Sequence, residues 1–347
     1  MTWDDPDAPV LVARRKSLLH IRLNRPKALN SLTLEMVEIL AAALDRAERD
    51  GAIGLVFIDG AGERGFCAGG DIRAVADSGR AHDGRAEAFW RTEYAVNARI
   101  AGFVKPYVAF MDGITMGGGV GLSAHGSHRI VTERTRLAMP ETGIGFIPDV
   151  GGTWLLARAP GETGTYMGLT GNSVDAADAI FTGFADHFMP STHKSQLLAG
   201  LLALPAGATG SDVEAVIAAL AQPAGASKLS AEQPLIDQLM SNDDASAIIQ
   251  MLKVNRSPFA LETAETILSR SPTSVKVTLA LLRRARLATS LEACLDAEYA
   301  AACQTLRGHD FYEGVRAAVI DKDRTPRWSP ATLSDVDPAV IAAHIDI

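Results

Sequence analysis

Cysteine is scarce in this sequence of 347 residues, where Cys67, Cys294 and Cys303 are the only three. An odd number of widely spaced cysteines forms no disulfide framework, and no cysteine or histidine pair has the spacing of a zinc site. We therefore expect three reduced thiols and no bound metal ion.

Long apolar runs and an excess of positive charge are also absent. No stretch of about 18 consecutive apolar residues occurs, so no membrane-spanning helix is predicted. The first ten residues, MTWDDPDAPV, are acidic and contain two prolines, unlike a signal or transit peptide. The formal net charge of −8 disfavours non-specific binding to nucleic acid. These features predict a cytoplasmic globular protein with neither a membrane nor a nucleic-acid partner.

The first 190 residues contain a repeated order of strand, glycine-rich turn and helix. The stretch SLLHIRL alternates apolar residues with His20 and Arg22, which predicts a strand. The runs GLVFIDG, YVAFMDG and HRIVTE predict three more strands, and SLTLEMVEIL has the apolar spacing of a helix that Ser31 or Thr33 caps. This order predicts an α/β fold with strands buried on both sides.

The composition changes near residue 190. Beyond it, segments rich in Ala and Leu have the apolar spacing of helices, over residues 211–222, 243–254, 259–270, 273–287 and 290–306. The later stretch DRTPRWSPATLSDVDP is predicted to be irregular before a last short helix. We therefore predict an α/β core over residues 1–190 and a helical C-terminal region over residues 191–347.

Residues 113–152 contain ten glycines, where an average glycine content of about 7% would give about three. Two known motifs in this region are incomplete. GVGLSA fits the dinucleotide pattern G-x-G-x-x-A, but it does not directly follow a strand, and the acid at the right distance follows Pro140. Ser123 lacks the second glycine of a nucleophile elbow. We predict neither NAD binding nor a serine nucleophile.

Two glycine-rich turns, ERGFCAGGDIRAV and DGITMGGGVGLSAHG, each follow a short apolar strand and precede a possible helix. Free backbone N–H groups at a helix start carry positive partial charge, and two of them aimed at one point form an oxyanion hole. Downstream, Glu141 and Asp149 lie in MPETGIGFIPDVGGTW, which contains no Lys, Arg or His. An oxyanion hole together with carboxylates predicts acyl chemistry at a carbonyl group.

Four long motifs resemble the crotonase (enoyl-CoA hydratase/isomerase) superfamily: LNRPKALNSL, GFCAGGDI, KPYVAFMDGITMGGGVGLS and PETGIGFIPDVGGTWLL. The runs SPTSVKVTL and RGHDFYEGVRAAVIDKDRTPRWSP resemble one branch of it, the 3-hydroxyisobutyryl-CoA hydrolases of valine catabolism. The resemblance implies a crotonase-like spiral of β-β-α turns with a helical C-terminal region. It also implies an acyl-CoA substrate, no cofactor besides the coenzyme A of that substrate, and a homo-oligomer.

The resemblance assigns roles to individual positions. It implies that the backbone N–H groups of Gly70 and Gly118 form the oxyanion hole, and that Glu141 and Asp149 are the catalytic acids. The positions implied to bind substrate or to line the coenzyme A groove are Lys27, Ala28, Ala68, Ile72, Glu93 and Gly117. The charges of Arg25 and Lys27 either meet coenzyme A phosphates or belong to a solvated loop.

Three positions decide the branch. A hydratase uses two glutamates, of which the first falls at Gly121 here and the second at Glu141, so one acid is missing. Position 149 is apolar or glycine in ordinary hydratases and is Asp149 here, which is similar to the hydrolase branch. That branch also places an acid near the substrate at Glu93, although from the residues alone Glu93 is a solvated acid on an amphipathic helix.

The sequence thus predicts hydrolysis of a short branched 3-hydroxyacyl-CoA thioester. Glu141 attacks the thioester carbonyl or activates the water that does, and Asp149 orients that water or handles its proton. Apolar neighbours are expected to raise the pKa of at least one of the two carboxyl groups. Cys67 is expected to be a buried side chain and not a nucleophile.

Three alternatives remain at this stage. An enoyl-CoA hydratase or isomerase is the alternative within the enzymes, and a non-catalytic acyl-CoA binding protein is the alternative outside them. The two acids could also be structural groups that cap helix N-termini, and Asp149 directly precedes a possible helix in VGGTWLLAR.

Overall fold

The computed structural model describes residues 7–345, which fall into two compact units. The first unit contains residues 7–70, Thr92–Leu137 and Val174–Ser227, and the second contains Asp71–Arg91, Ala138–Ser173 and residues 228–345. Both units take segments from each side of residue 190. The division predicted there follows composition along the chain, and it stays a prediction.

The described residues alternate between strands and helices up to residue 188 and are helical beyond it. The strands are β1 (Val10–Arg15), β2 (Leu18–Leu23), β3 (Leu55–Gly60), β4 (Gly65–Cys67), β5 (Tyr107–Met111), β6 (Ile114–Met116), β7 (His128–Val131), β8 (Arg136–Ala138) and β9 (His187–Phe188). The helices are α1 (Leu34–Arg49), α2 (Ile72–Ala81), α3 (Arg85–Ala101), α4 (Gly118–Ser123), α5 (Gly152–Arg158), α6 (Thr163–Thr170), α7 (Ala176–Phe181), α8 (Lys194–Ala203), α9 (Gly210–Ala218), α10 (Lys228–Met240), α11 (Ala245–Asn255), α12 (Pro258–Leu268), α13 (Pro272–Leu287), α14 (Leu291–Thr305), α15 (Asp310–Val315) and α16 (Pro338–Ile345).

A six-stranded sheet in the order β1-β2-β3-β5-β7-β9 is the frame of the first unit. β1 and β2 are antiparallel, and the other four strand pairs are parallel. The runs SLLHIRL, GLVFIDG, YVAFMDG and HRIVTE form β2, β3, β5 and β7, so these predicted strands are confirmed. β3 and β5 are buried along almost their whole length, as expected for parallel strands covered on both faces.

One core cluster of the first unit lies on one face of this sheet. Its buried side chains are Leu18, Leu55, Phe57, Val108, Phe110, Ile130, Met189, Leu197, Leu201, Val213 and Ile217. Burial of each large apolar side chain stabilises the fold by about 1.5–3 kcal/mol. The last four come from α8 and α9, so residues beyond 190 complete the core that the strands begin.

Helix starts follow the capping chemistry of the sequence. Thr33, and not Ser31, caps α1, because its Oγ1 accepts a hydrogen bond of 3.3 Å from the Met36 N–H. Thr209 caps α9 in a reciprocal capping box with Asp212. Ser257, Ser271 and Ser290 cap α12, α13 and α14.

Most C-terminal helices agree with their prediction. The five predicted segments correspond to α9 and α11–α14, and the irregular stretch before α16 is also confirmed. The sequence analysis missed α8, α10 and α15. α10 contains Pro234 in its interior, which interrupts the pattern typical of a helix.

Candidate active site

Two glycine-rich turns leave neighbouring strands of the first unit on the same side. β4 and β6 are parallel, with Gly65 opposite Ile114 and Cys67 opposite Thr115. The chain continues from β4 into Ala68, Gly69 and Gly70, and from β6 into Gly117 and Gly118. Since the carboxyl ends of parallel strands share one edge, the two predicted oxyanion turns are adjacent.

Glycine is required by the geometry of both turns. Gly69 has φ +104° and Gly117 has φ +48°, which side chains with a Cβ rarely adopt. A Cβ on Gly69 would lie 3.4 Å from the Met116 carbonyl oxygen and 3.7 Å from the Gly118 nitrogen. The two turns therefore approach each other closely, and the positive φ values are what a larger residue would strain.

The N–H groups of Gly70 and Gly118, which are expected to form the oxyanion hole, point away from the backbone groups that pair with neighbouring segments. The Leu32 N–H donates to the Gly69 carbonyl (2.8 Å). The Gly70 N–H belongs to the same trans peptide group, in which C=O and N–H point in opposite directions, so the Gly70 N–H points away from Leu32. Gly118 is the first residue of α4, where N–H groups have no intrahelical acceptor. Over residues 7–345, no protein hydrogen bond uses either N–H as donor.

Glu93 lies beside Gly118. Its side chain comes from α3, is 2% exposed, and would collide with a Cβ placed on Gly118. The interpretation of Glu93 as a solvated surface acid is therefore wrong, because Glu93 lies on the buried face of this helix, whereas Arg91 and Ala95 are exposed. The structure places Glu93 against a residue of the predicted oxyanion hole, and its contact with substrate stays a prediction.

Cys67 also lies in this part of the first unit. It is completely buried, and burial, reinforced by the nearby Glu93, raises the pKa of the thiol to about 12. A thiol of this kind is protonated at neutral pH and is a poor nucleophile. The geometry agrees with the expectation that Cys67 serves only as a small buried side chain.

Lys27 and Ala28 form an exposed turn, Pro26–Ala28, in the first unit. The turn is held by charged side chains on both sides. Arg64 donates to the carbonyls of Pro26 (3.0 Å) and Lys27 (3.3 Å), and Arg25 donates to the carbonyl of Ser31 (2.6 Å). Arg25 is thus part of the turn's hydrogen bonding. Contact of Lys27 and Ala28 with coenzyme A stays a prediction.

Asn30 connects this turn to β4 and was missed by the sequence analysis. It is fully buried, and its Nδ2 lies within 3.1 Å of three carbonyl oxygens, those of Ala61, Gly65 and Phe66. Its Oδ1 accepts from the Arg25 N–H (2.9 Å). A polar residue with φ +57° inside the motif LNRPKALNSL is the signal that identifies it.

Glu141 is anchored through its backbone in the second unit. It starts a 3-10 turn, Glu141–Ile144, directly after Pro140 and is 5% exposed. Its carbonyl accepts from the Phe146 N–H (3.0 Å), and the Phe146 ring stacks on Trp90 with centroids 5.4 Å apart. The Thr142 carbonyl that follows accepts from Ser271 at the start of α13 (3.1 Å). The carboxylate is therefore carried by a rigid segment.

Asp149 does not cap α5, contrary to the expectation from VGGTWLLAR. The helix starts at Gly152, its N-cap is Gly151, and no side-chain hydrogen bond caps it from that position. The Asp149 carbonyl accepts from the Gly152 N–H (2.6 Å). Glu141 follows Pro140, the N-cap of its own 3-10 turn, so neither acid is the N-cap residue of the element that it was predicted to cap.

Glu298 performs the capping instead, and the sequence analysis missed it. It lies on α14, is fully buried, and accepts from the N–H groups of Gly151 (2.7 Å) and Thr153 (2.9 Å). The Thr153 hydroxyl donates a third bond (2.5 Å). The signal was a glutamate in the apolar stripe of this helix, between Leu295 and Ala302.

Three predicted positions remain, Ala68, Ile72 and Gly117. Ile72 is the first residue of α2 in the second unit and is half-buried, and Ala68 and Gly117 contribute backbone to the turns of the first unit. Within residues 7–345, no group of three or more His, Cys, Asp or Glu side chains is placed to hold a metal ion.

Comparison with known proteins identifies the family. A family profile described as enoyl-CoA hydratase/isomerase matches residues 18–345. The mitochondrial 3-hydroxyisobutyryl-CoA hydrolase of Danio rerio is 44% identical over 325 residues, which covers 91% of this chain and 84% of that protein.

Two solved structures are similar over nearly the whole chain. A carnitinyl-CoA dehydratase from Mycobacterium thermoresistibile has a TM-score of 0.93 and 44% identity, covering 98% of this chain and 96% of that one. An enoyl-CoA hydratase from Rhodobacter sphaeroides 2.4.1 has a TM-score of 0.88 and 42% identity, with 97% of each chain covered. The predicted crotonase-like α/β fold is confirmed.

The predicted cytoplasmic location is wrong, since the matched vertebrate hydrolases are named as mitochondrial. That prediction depended on the first residues of the sequence, and no compartment follows from where a sequence begins. None of the helices among the described residues has the length and apolar character needed to cross a bilayer.

The resemblance seen in the motifs is thus supported over the full length of the alignment. The family profile covers the segments that hold the glycine-rich turns, Glu141, Asp149 and Glu298. The chain belongs to the enoyl-CoA hydratase/isomerase family.

Proposed function

We propose that this chain hydrolyses a short branched 3-hydroxyacyl-CoA thioester, with 3-hydroxyisobutyryl-CoA as its substrate, in the degradation of valine. One observation carries the proposal. Position 121, where a hydratase of this family has its first glutamate, is a buried glycine inside α4, whereas Glu141 and Asp149 are both buried carboxylic acids. The names of the curated relatives support the same substrate.

The glycine turns stabilise the charge that forms on the thioester oxygen. When the carbonyl carbon is attacked, its oxygen becomes an oxyanion, and the N–H groups of Gly70 and Gly118 bind it. Preorganised donors of this type typically contribute about 3–4 kcal/mol each to transition-state stabilisation. Ala68 and Gly117 supply the backbone that holds the two donors in place.

Glu141 acts at the carbonyl carbon. In one route its carboxylate forms a C–O bond to that carbon, the C–S bond breaks, coenzyme A leaves as a thiolate that takes up a proton, and water opens the resulting anhydride. In the other route Glu141 removes a proton from the water that attacks directly. Hydroxylamine added during turnover traps an anhydride as a hydroxamate, so a modified Glu141 supports the first route.

Asp149 orients the attacking water or takes its proton. Glu93 binds the 3-hydroxyl group of the acyl chain, and the turn of Lys27 and Ala28, with Ile72, binds coenzyme A. No metal or redox cofactor takes part in this scheme, since coenzyme A arrives as part of the substrate. We also expect a homo-oligomer without a nucleic-acid or membrane partner.

The first test measures two reactions side by side. Thiol release from 3-hydroxyisobutyryl-CoA is followed with a thiol-reactive dye, and loss of enoyl absorbance is followed with crotonyl-CoA. Fast thiol release without enoyl loss is the expected result. Enoyl loss without thiol release would reject the hydrolase and favour the hydratase.

The second test removes the charge of each acid. Glu141→Gln is expected to abolish thiol release while coenzyme A affinity stays largely intact, and Asp149→Asn is expected to lower kcat by more than tenfold, about 1.4 kcal/mol of barrier. Glu292→Gln, an exposed glutamate on α14, is the matched control. Unchanged turnover in Glu141→Gln would refute this mechanism.

A hydratase or dehydratase is the second candidate, because the two solved structures at 44% and 42% identity are described as such enzymes. Gly121 argues against it, since a second acid would have to come from elsewhere. Glu93, buried beside Gly118, is the residue in the first unit that would supply it. Glu93→Gln would then remove enoyl-CoA hydration, whereas the hydrolase proposal predicts mainly a higher KM for the 3-hydroxyacyl substrate.

A further inference from the structure

The backbone after Asp149 adopts an unusual conformation. Val150 has φ +56°, which is sterically unfavourable for a β-branched residue, and Gly151 follows with φ +76°. Such conformations cost about 1–3 kcal/mol and persist only where the surroundings hold them. The direction in which Asp149 leaves the chain therefore depends on whatever fixes residues 150–153.

Glu298 is the side chain that fixes them. Its Oε2 accepts from the Gly151 N–H, and its Oε1 accepts from both the N–H and the hydroxyl of Thr153. The two residues lie on either side of Gly152, where α5 begins, so one carboxyl group ties together both ends of the strained turn. A helix cap alone would need only a single oxygen, and a small polar side chain at the N-cap would supply it.

We propose that Glu298 is a positioning residue for the hydrolysis, which sets the orientation of the Asp149 carboxyl group by binding the amides of Gly151 and Thr153. This inference rests on the proposed role of Asp149. The amides that Glu298 binds belong to Gly151 and Thr153, which follow Asp149 in the sequence. Glu298 therefore acts on Asp149 through the backbone. Its loss is therefore expected to change the rate of the chemical step more than substrate binding.

The ionisation of Glu298 supplies a signature of this role. Burial raises the pKa of Glu298 to about 8, the bonds from Thr153 and Gly151 oppose that shift, and the charge of Asp149 adds to it. Cys294, one turn earlier on α14, is a further ionisable group that interacts with Glu298, and it also interacts with Arg158 of α5 and Arg284 of α13. Because Asp149 and Glu298 interact, deprotonation of Glu298 near pH 8 changes the electrostatic environment of the proposed catalytic acid.

The test compares Glu298→Gln with the control Glu292→Gln, which makes the same change at an exposed position of α14. In Glu298→Gln, one oxygen is replaced by an NH₂ group that faces the donors of the turn. We expect kcat to fall at least tenfold, KM to stay within about threefold, and the step near pH 8 in the kcat profile to disappear. A kcat within twofold of the control, or a pH step that persists, would overturn the proposal.

A second variant covers the case in which Glu298→Gln fails to fold. Thr153→Val keeps both backbone bonds and removes only the hydroxyl donor, so the helix start is retained. Since that hydroxyl lowers the pKa of Glu298, its loss should move the step in the kcat profile to higher pH, with a few-fold lower kcat. A structural role alone would leave the position of the step unchanged, and that result would refute the proposal.

A third measurement separates this inference from the proposed function. Hydrogen exchange of a peptide covering residues 150–156 is expected to be faster in Glu298→Gln than in Glu292→Gln, whatever reaction the protein catalyses. Faster exchange in a protein that releases no thiol would reject the proposed hydrolase function and support the proposed binding of the turn by Glu298. Thiol release by the wild type with unchanged exchange in the variant would reject the positioning role of Glu298 and support the proposed hydrolase function.

Discussion

Asp59 in the first unit and Glu298 in the second are both fully buried carboxyl groups with several hydrogen bonds, yet their pKa values move in opposite directions. Asp59 is bound by Arg22 through two bonds (2.8 and 2.7 Å), by His20 (3.1 Å) and by Lys194 (2.7 Å). Among the described residues, Glu298 accepts hydrogen bonds only from backbone N–H groups and a hydroxyl.

The difference lies in the charge of the donors. Burial would raise the pKa of Asp59, but the bonds from Arg22 and His20 and the charge of Lys194 outweigh burial and hold that pKa well below its usual range. Neutral donors oppose burial at Glu298 without overcoming it. Three hydrogen bonds from neutral donors therefore lower the pKa of a buried carboxyl group less than ion pairs do. Of these two groups, Glu298, which has no cation beside it in the described part of the chain, titrates near neutral pH.

Glu162 supports this comparison within the second unit. It is nearly buried, and Arg286 and Arg283 bind it at 2.6 and 3.0 Å. Burial again acts to raise its pKa, but the two arginines and Thr165 bring that pKa below the ordinary value. The second unit thus contains both outcomes, and the presence of a guanidinium decides between them.

The largest effect is expected for Asp59→Asn. The change leaves Arg22, His20 and Lys194 around a neutral amide, and breaking a buried ion pair from one side typically costs about 3–5 kcal/mol of unfolding free energy. Urea unfolding measures it. Asp77→Asn, which breaks an exposed pair with Arg80, is the control and should change stability by less than about 1 kcal/mol. A similar small change for Asp59→Asn would remove the basis of the comparison.

An intermediate effect is expected in the pH dependence of stability. The folded protein keeps the Glu298 proton up to about pH 8, whereas the unfolded chain releases it near 4.5, so the unfolded state binds fewer protons between these values. Stability should therefore fall with rising pH in this window, by up to about 1.4 kcal/mol per pH unit relative to Glu298→Gln. Asp59 has the opposite sign, and its contribution should be lost only as the pH falls below about 3.8.

Unfolding of the wild type and Glu298→Gln from pH 5 to pH 8 is the measurement. A constant difference between the two proteins across this range would show that Glu298 is ionised in the folded state throughout. In that case neutral donors would be sufficient to hold a buried carboxylate, and the contrast with Asp59 would be lost.

The smallest effect is expected at Cys67, a thiol whose pKa is raised by burial with no cation among its described neighbours to oppose the shift. With its pKa raised to about 12, Cys67 should remain unlabelled by iodoacetamide at pH 8, whereas the half-buried Cys303 should be alkylated first. Labelling in urea, where all three thiols react, is the control. Rapid native labelling of Cys67 would show that the turn opens.

The frame of the first unit could be predicted from local patterns, because each strand is a short apolar run and each turn a glycine cluster. The partners of its polar residues could not. His20 and Arg22 alternate with apolar residues, and the register that pairs Arg22 with Asp59 places both in an ion cluster, where His20 is buried and Arg22 is partly buried. Strand pairing is a long-range property that no window of the sequence contains.

The acids of the second unit also show that long-range partners cannot be predicted from a local stretch of sequence. Glu141 and Asp149 could be singled out, because they lie in an apolar stretch without a nearby cation. The prediction that Asp149 caps α5 was wrong, because Glu298 from α14 binds the free amides instead. Similarly, α10 escaped prediction because tertiary packing tolerates Pro234 within it.

The distance in sequence between Glu298 and its donors has a consequence during synthesis. Thr153 and Glu298 are 145 residues apart, and at about 5–20 residues per second the ribosome adds Glu298 about 7–30 s after Thr153. For that interval the turn at Val150 has emerged without its carboxyl partner. The proposed catalytic segment is therefore among the last parts of the protein to reach its final form, and nascent chains that stop before α14 should lack it.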